Sequence, residues 1–269
     1  MKQLLELDLP QIPFRRANTH KYDYGSLLVI GGSIGFFGAP QLASKASLRL
    51  GVGLVTLALP QEIYYRFEPQ FFSQTIFPFA HPQDIVALLK KKTAVEFGPG
   101  LDSNIIENLE ILKLLLAEKI PLVIDAGGLD IFKPLLDSNE DFSQVVITPH
   151  LGEAKRLLDD GDPLVNYSRL TINNLTLVLK GPTTLIAHKD QLFEANQGSS
   201  AMAKAGMGDV LAGMIGALLA QGYTPLEAAK LATYLHQEAA RIAINQQGKI
   251  SLISEDVIDA LPIALNNHQ

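Results

Sequence analysis

Short apolar runs that stop abruptly at glycine or small polar residues recur along this chain, and that recurrence leaves few folds open to it. Leu27–Ile30 stops at Gly31-Gly32, Thr93–Phe97 at Gly98-Pro99-Gly100, Leu122–Ile124 at Asp125-Ala126-Gly127-Gly128, and Val145–Ile147 at Thr148-Pro149-His150. Leu54–Leu59 is a further run of this kind. Short, predominantly apolar runs of this length are the pattern of parallel strands buried on both faces. Between them, apolar residues return at helical spacing. Ala39, Leu42, Ala43, Ala46 and Leu50 mark one helix face, closed by Gly51 and Gly53, and Ile105, Ile106, Leu109 and Leu112 mark another, with Asp102 or Ser103 as its candidate cap. Ala154, Leu157 and Leu158 mark a third. Strands alternating with helices predict a three-layer α/β domain with a mostly parallel central sheet and helices on both faces. In open sheets of this kind ligands bind at the carboxyl ends of the strands, where the small and polar residues gather here.

The last third changes character. Leu175–Leu179, Thr184–Ala187 and Gln191–Phe193 are short and closely spaced, which predicts hairpins added to one end of the sheet. A glycine-rich run from Gly198 to Asp209 follows, and then Val210, Leu211, Met214, Ile215, Leu218 and Leu219 fall at helical spacing. The run therefore opens a buried helix. A helix N-terminus carries unpaired N–H groups and partial positive charge, which suit phosphate and developing negative charge. Asp209 lies at that point and has two readings, a helix-capping aspartate or a general base beside an anion hole. After a turn at Tyr223-Thr224-Pro225, residues Ala228, Leu231, Ala232, Leu235, Ala239 and Ile242 mark a last amphipathic helix.

Composition narrows the function classes. With 22 Lys and Arg against 28 Asp and Glu, a net charge of −6 argues against nucleic acid or an acidic membrane surface as the partner and favours a small molecule. There are no cysteines, so disulfides and thiolate metal sites are excluded, and the histidines show no metal-ligand spacing. No apolar stretch is long enough to span a bilayer and Met1–Pro10 does not read as a signal peptide, so the expectation is a cytoplasmic protein. No linker divides the 269 residues, and residues 1–269 are expected to form a single domain. The turn from Gly31 to Gly38 offers no Gly-x-Gly-x-x-Gly register, and no phosphate-binding Gly-x-x-x-x-Gly-Lys-Ser/Thr run occurs.

Five stretches, in order, resemble the ADP-dependent NAD(P)H-hydrate dehydratase family, a branch of the ribokinase-like fold. They are Gly31–Ala39 with Arg49–Gly53, Phe97–Leu101, Asp125–Leu129, Thr148–Glu153, and Lys180–Thr184 followed by Ala201–Asp209. The resemblance implies dehydration of the (6S) hydrate of NADH or NADPH, with ADP or ATP as co-substrate alongside Mg²⁺. The hydroxyl would be activated as a phosphate ester that then eliminates, giving AMP and phosphate when ADP is used. By position Asp209 resembles the family's base, and Gly206, Met207 and Gly208 its anion hole. Lys180, Gly181, Pro182, Thr183 and Thr184, with Gly208, resemble the nucleotide segment, and Ala39, Gly100 and His150 match positions expected to touch the hydrate. Ala39 could equally serve only helix packing, His150 only a turn, and Lys180 only a solvated strand end. A homo-oligomer, tetrameric by resemblance, is also implied.

The chain departs from the family's usual glycine run at Ser199, Ser200, Ala205 and Met207. Ala205 can form the turn if its φ is negative, whereas Met207 removes a hydroxyl that could bond phosphate. Two other functions fit part of the pattern. One is a ribokinase-like kinase of a small vitamin-type alcohol, which would use the same base, and the other is a nucleotide sensor without turnover.

Overall fold

The structure is a computed structural model that describes residues 2–12, 15–71 and 73–268. The N-terminal part runs β1 (Lys2–Gln3), β2 (Ser26–Ile30), α1 (Gly38–Arg49), β3 (Leu54–Pro60), α2 (Gln61–Tyr64), β4 (Thr75–Phe79) and α3 (Pro82–Leu89). Next come β5 (Ala94–Phe97), α4 (Ile106–Ala117), β6 (Leu122–Ile124), α5 (Gly127–Phe132), β7 (Val145–Ile147), α6 (Leu151–Leu157) and α7 (Pro163–Asn166). The chain finishes with β8 (Thr176–Leu179), β9 (Thr184–His188), β10 (Gln191–Ala195), α8 (Met207–Ala220), α9 (Pro225–Gln247) and α10 (Ser254–Asn266).

The strands form one sheet in the order β1-β10-β9-β8-β7-β6-β5-β2-β3-β4. From β8 to β4 every pairing is parallel, while β9 runs antiparallel to both β8 and β10, as the closely spaced runs predict. Alternation along each strand builds two cores. Leu27 and Val29 of β2 point into a core shared with α1, α8, α9 and α10, whereas Leu28 and Ile30 point into the core on the opposite face, with residues of α4, α5 and α6. The result is the expected three-layer α/β arrangement.

Two strands escape the apolar-run pattern. β4 carries Pro78 and forms the edge of the sheet, the position where a residue without an N–H is tolerated. β1 is only two residues long and lies parallel to β10 at the other edge. The candidate caps of α4 are also displaced. The helix starts at Ile106 with Ile105 at its N-cap, and Asp102 Oδ1 instead accepts from the Asn104 amide at 2.9 Å. The carboxylate therefore organises the preceding turn, because a side chain this short cannot reach amides so much further along the chain.

Helix α8 is apolar all round, and it is buried accordingly: it lies between the sheet, α1 and α9. Its approach to α1 is close enough to demand glycine. A Cβ on Gly213 would lie 2.3 Å from the Ala43 carbonyl oxygen, and Ser47 Oγ donates to the Gly213 carbonyl at 2.8 Å across the same contact. This contact joins α1, which carries Ala39, to α8, which carries Asp209.

Candidate active site

The glycine run ends in a left-handed residue, Gly206, at φ 87°, ψ −19°, and α8 begins at Met207. Asp209 is thus the third residue of the helix rather than its N-cap, and the capping reading fails. Ala205 keeps a negative φ, which explains how alanine is accommodated there, since the left-handed step is taken one residue later by glycine. Met207 corrects an expectation. Its side chain is only 5% exposed and belongs to the core beneath α8, with Ala201, Val210 and Leu211 among its members, so a hydroxyl at this position would face apolar side chains instead of phosphate. Only the backbone N–H of Met207 remains available as an anion donor, together with those of its neighbours in the first turn.

Burial, reinforced by the nearby charge of Asp125, pushes the Asp209 carboxyl from its ordinary 3.8 up to about 7, with Lys180 pulling the other way. A carboxylate poised near neutrality is suited to general-base work.

Asp125 and Lys180 form the fixed part of the site. Asp125 follows β6, is 1% exposed, and its Oδ1 accepts from Lys180 Nζ at 2.7 Å and from Thr148 Oγ1 at 2.7 Å. The strand ends are locked together as well, because the Lys180 amide donates to the Pro149 carbonyl at 2.8 Å. Lys180 is therefore an anchored ammonium and not a solvated strand end. Burial works against its charge, but Asp125, Glu153 and Asp209 outweigh it and raise its pKa. A Cβ at Gly208 would come 3.0 Å from Lys180 Nζ, so the bare backbone lets the ammonium reach the start of α8.

A cavity of about 640 Å³ has Asp209 in its wall, together with Ala39, Gly100, Ser33, Ala126 and Arg156. That volume falls within the range of about 300–1,000 Å³ usual for small-molecule sites. Ala126 lines it in a backbone conformation rare for a residue with a Cβ, φ 48°, ψ −125°, the kind of strain that concentrates at functional sites. Arg156 is held by a two-bond pair with Asp130, at 3.1 Å each.

His150 lies outside this lining. Its Nδ1 accepts from the Gly152 and Glu153 amides at 3.0 and 3.2 Å, and Glu153 returns a bond from the His150 amide at 2.8 Å, so the histidine caps α6. The geometry shows this cap, and the ring remains more than half exposed.

The segment Lys180–Thr184 joins β8 to β9. Gly181 and Pro182 are exposed, Thr183 is half-buried and Thr184 is buried. A Cβ on Gly198 would lie 3.3 Å from the Pro182 carbonyl and 3.6 Å from Gln237 Nε2, so the glycine run and this segment face one another over α9. Gln237 ties them down by donating to the Ala195 carbonyl at 3.1 Å and accepting from the Gln197 amide at 3.2 Å.

Three buried groups near the site were missed by the sequence reading, although Glu96 lies inside a run read as a buried strand. Glu96 of β5 is wholly buried with neither carboxyl oxygen bonded, and burial, with Asp125 and Asp209, raises its pKa well above the ordinary value. His236 is 6% exposed with Nε2 unbonded, and burial, with the Lys180 charge, lowers its pKa to about 4. Gln237 reads in sequence as one polar residue in an alanine-rich helix. Arg156, also missed, had a cue as well, lying three residues after Glu153 on α6 and hence on the same helix face.

A family model described as NAD(P)H-hydrate dehydratase matches residues 27–263. The bifunctional NAD(P)H-hydrate repair enzyme of Coxiella burnetii is 35% identical over 268 residues, covering 96% of this chain and 54% of that protein. The chain thus spans about half the length of the first curated relatives it matches. Among solved structures, the ADP/ATP-dependent NAD(P)H-hydrate dehydratase of Bacillus subtilis, co-crystallised with ATP and Mg²⁺, superposes with a TM-score of 0.86 at 26% identity, covering 100% of this chain and 99% of that one. A ribokinase-like superfamily protein from Enterococcus faecalis superposes with a TM-score of 0.83 at 25% identity, covering 99% and 96%. By the family match and by its ribokinase-like fold, the chain belongs to the NAD(P)H-hydrate dehydratase family.

Proposed function

We propose that this chain, acting as a single domain, dehydrates the (6S) hydrate of NADH or NADPH with ADP or ATP as co-substrate. The observation that carries the reading is Asp209, a carboxylate with a pKa of about 7 in the first turn of α8 and at the wall of the cavity. In this reading Asp209 takes the proton from the hydrate's hydroxyl as that oxygen attacks the terminal phosphorus of the nucleotide, releasing AMP when ADP is used. The amides of Gly206, Met207 and Gly208, with the Lys180 ammonium, take up charge on the phosphoryl oxygens. The phosphate ester then loses inorganic phosphate while the adjacent ring carbon gives up a proton to solvent, regenerating the dihydronicotinamide ring. Lys180–Thr184 holds the nucleotide, while Ala39 and Gly100 face the hydrate. His150, which also caps the start of α6, is the third residue read as touching the hydrate.

Among the described residues no group of three or more His, Asp or Glu could hold a metal. The side chains therefore do not form a Mg²⁺ cage, and the ion would accompany the polyphosphate, as is usual for Mg²⁺. No helix among the described residues is long and apolar enough to cross a membrane. A cytoplasmic homo-oligomer, tetrameric by resemblance, completes the reading.

The test incubates enzymatically hydrated NADH with the protein, ADP and Mg²⁺, following reduced-nicotinamide absorbance and AMP together. Recovery of absorbance with equimolar AMP is expected. ADP formation from ATP and a pyrimidine or thiazole alcohol, with no action on the hydrate, would replace the reading with the kinase alternative.

A further inference from the structure

A second cavity, of about 480 Å³, begins where the first one ends. The two share Glu62 of α2 and Ile105 before α4 in their walls, so they adjoin at the carboxyl edge of the sheet. The outer part is walled by Tyr65 and Phe79, and its only ionisable groups among the described lining residues are Glu62, Glu107 and the phenol of Tyr65, with neither Lys nor Arg. Both carboxylates are exposed.

We propose that this outer cavity receives the distal adenosine of the hydrate and makes the protein selective for the hydrate of NADH over that of NADPH. The inference rests on the dehydratase reading given above. In that reading the hydrated ring lies against Asp209, and the co-substrate nucleotide occupies the side of the site formed by Lys180–Thr184. The rest of a dinucleotide must then leave the inner cavity in another direction, and the outer cavity adjoins it across Glu62 and Ile105. Tyr65, 74% exposed, offers aromatic surface to a purine, with the buried Phe79 behind the wall. The two carboxylates suit a free ribose hydroxyl, from which a carboxylate accepts a hydrogen bond. The additional 2′-phosphate of NADPH ordinarily needs an arginine and would here meet two like charges.

The experiment compares kcat/KM for the two hydrates in the wild-type protein and in Glu107→Lys, a position that lines only the outer cavity. It adds calorimetric binding of ADP-ribose against 2′-phospho-ADP-ribose, two fragments that lack the reacting ring. A preference of about tenfold for the NADH hydrate and for ADP-ribose is expected, the size of two exposed like-charge contacts. It should shrink with added salt and narrow several-fold or reverse in Glu107→Lys. Melting temperatures of the two proteins should agree, since the side chain is exposed. Equal kcat/KM for both hydrates, or a ratio unmoved by Glu107→Lys, would overturn the proposal while leaving the dehydratase reading intact. If neither hydrate turns over, the dehydratase reading falls, and the fragments decide the subsite. A preference for ADP-ribose that Glu107→Lys narrows upholds it, and equal binding of the two fragments overturns it.

Discussion

Replacing Asp209 by Asn should abolish turnover and at the same time stabilise the protein at neutral and alkaline pH. The folded-state pKa of about 7 lies roughly 3 units above the ordinary 3.8, and each unit corresponds to about 1.4 kcal/mol between protonation states. Because the pKa is raised, the native protein holds this proton more tightly than the unfolded chain. The cost is absent below about pH 4, grows as pH rises from 4 to 7, and reaches about 4 kcal/mol above 7. Asn cannot ionise and nearly matches the shape of Asp, so the variant escapes that cost. Losing a general base should meanwhile lower kcat by about 10²–10⁴. Urea denaturation of both proteins at several values from pH 4 to pH 8 measures the first effect, and the stability gap should open steadily toward pH 8. Single-turnover kinetics with the hydrate measure the second, and the wild-type rate should fall on the acid side with an apparent pKa near 7. Stability curves that stay parallel across this range would refute the raised pKa. A near-normal rate in the variant would refute the base assignment and the mechanism with it.

Lys180→Ala should raise the KM for ADP more than it lowers kcat. It should also destabilise the fold by about 3 kcal/mol, because Asp125 loses the partner of its buried charge; unchanged nucleotide affinity would place the phosphates elsewhere. Met207→Ser should lose about 2–4 kcal/mol in urea denaturation without gaining activity, since it leaves a cavity and a hydroxyl in the core. A faster, equally stable variant would show that the side chain turns toward phosphate. Gly213→Ala should cost about 1–3 kcal/mol and lower kcat with it, because its methyl group forces α1 and α8 apart between Ala39 and Asp209. Calorimetric melting and steady-state kinetics on the same preparation check both effects.

Much of the scaffold was legible because its causes are local. An apolar run ending at glycine carries its own instruction to form a buried strand and stop, so β2, β3, β5, β6 and β7 were visible, as were the turns at their ends. Helix α8 could be placed from the spacing of Val210, Leu211, Met214 and Ile215 alone. Asp209, Lys180 and the strand-end position of Asp125 stood out because glycines and strand ends surround them. Strand β4 was hidden by Pro78, which is acceptable only because the strand lies at an edge, a fact about the sheet and not about the segment. Which way a side chain faces, and what it meets, was decided by packing between distant segments. The Met207 side chain belongs to the core, leaving only its amide to the anion site, because α8 rolls that face onto its neighbours. His150 caps α6 because its ring turns back along its own helix, a rotamer that no spacing reveals. The pairing of Lys180 with Asp125 spans 55 residues of chain, and the raised pKa of Asp209 comes from burial by elements far apart in sequence and from the charge of Asp125, against the pull of Lys180. Spacing along a chain prescribes hydrogen-bonded local geometry, whereas desolvation and charge coupling depend on distances through space, which exist only once the sheet has brought its strand ends together.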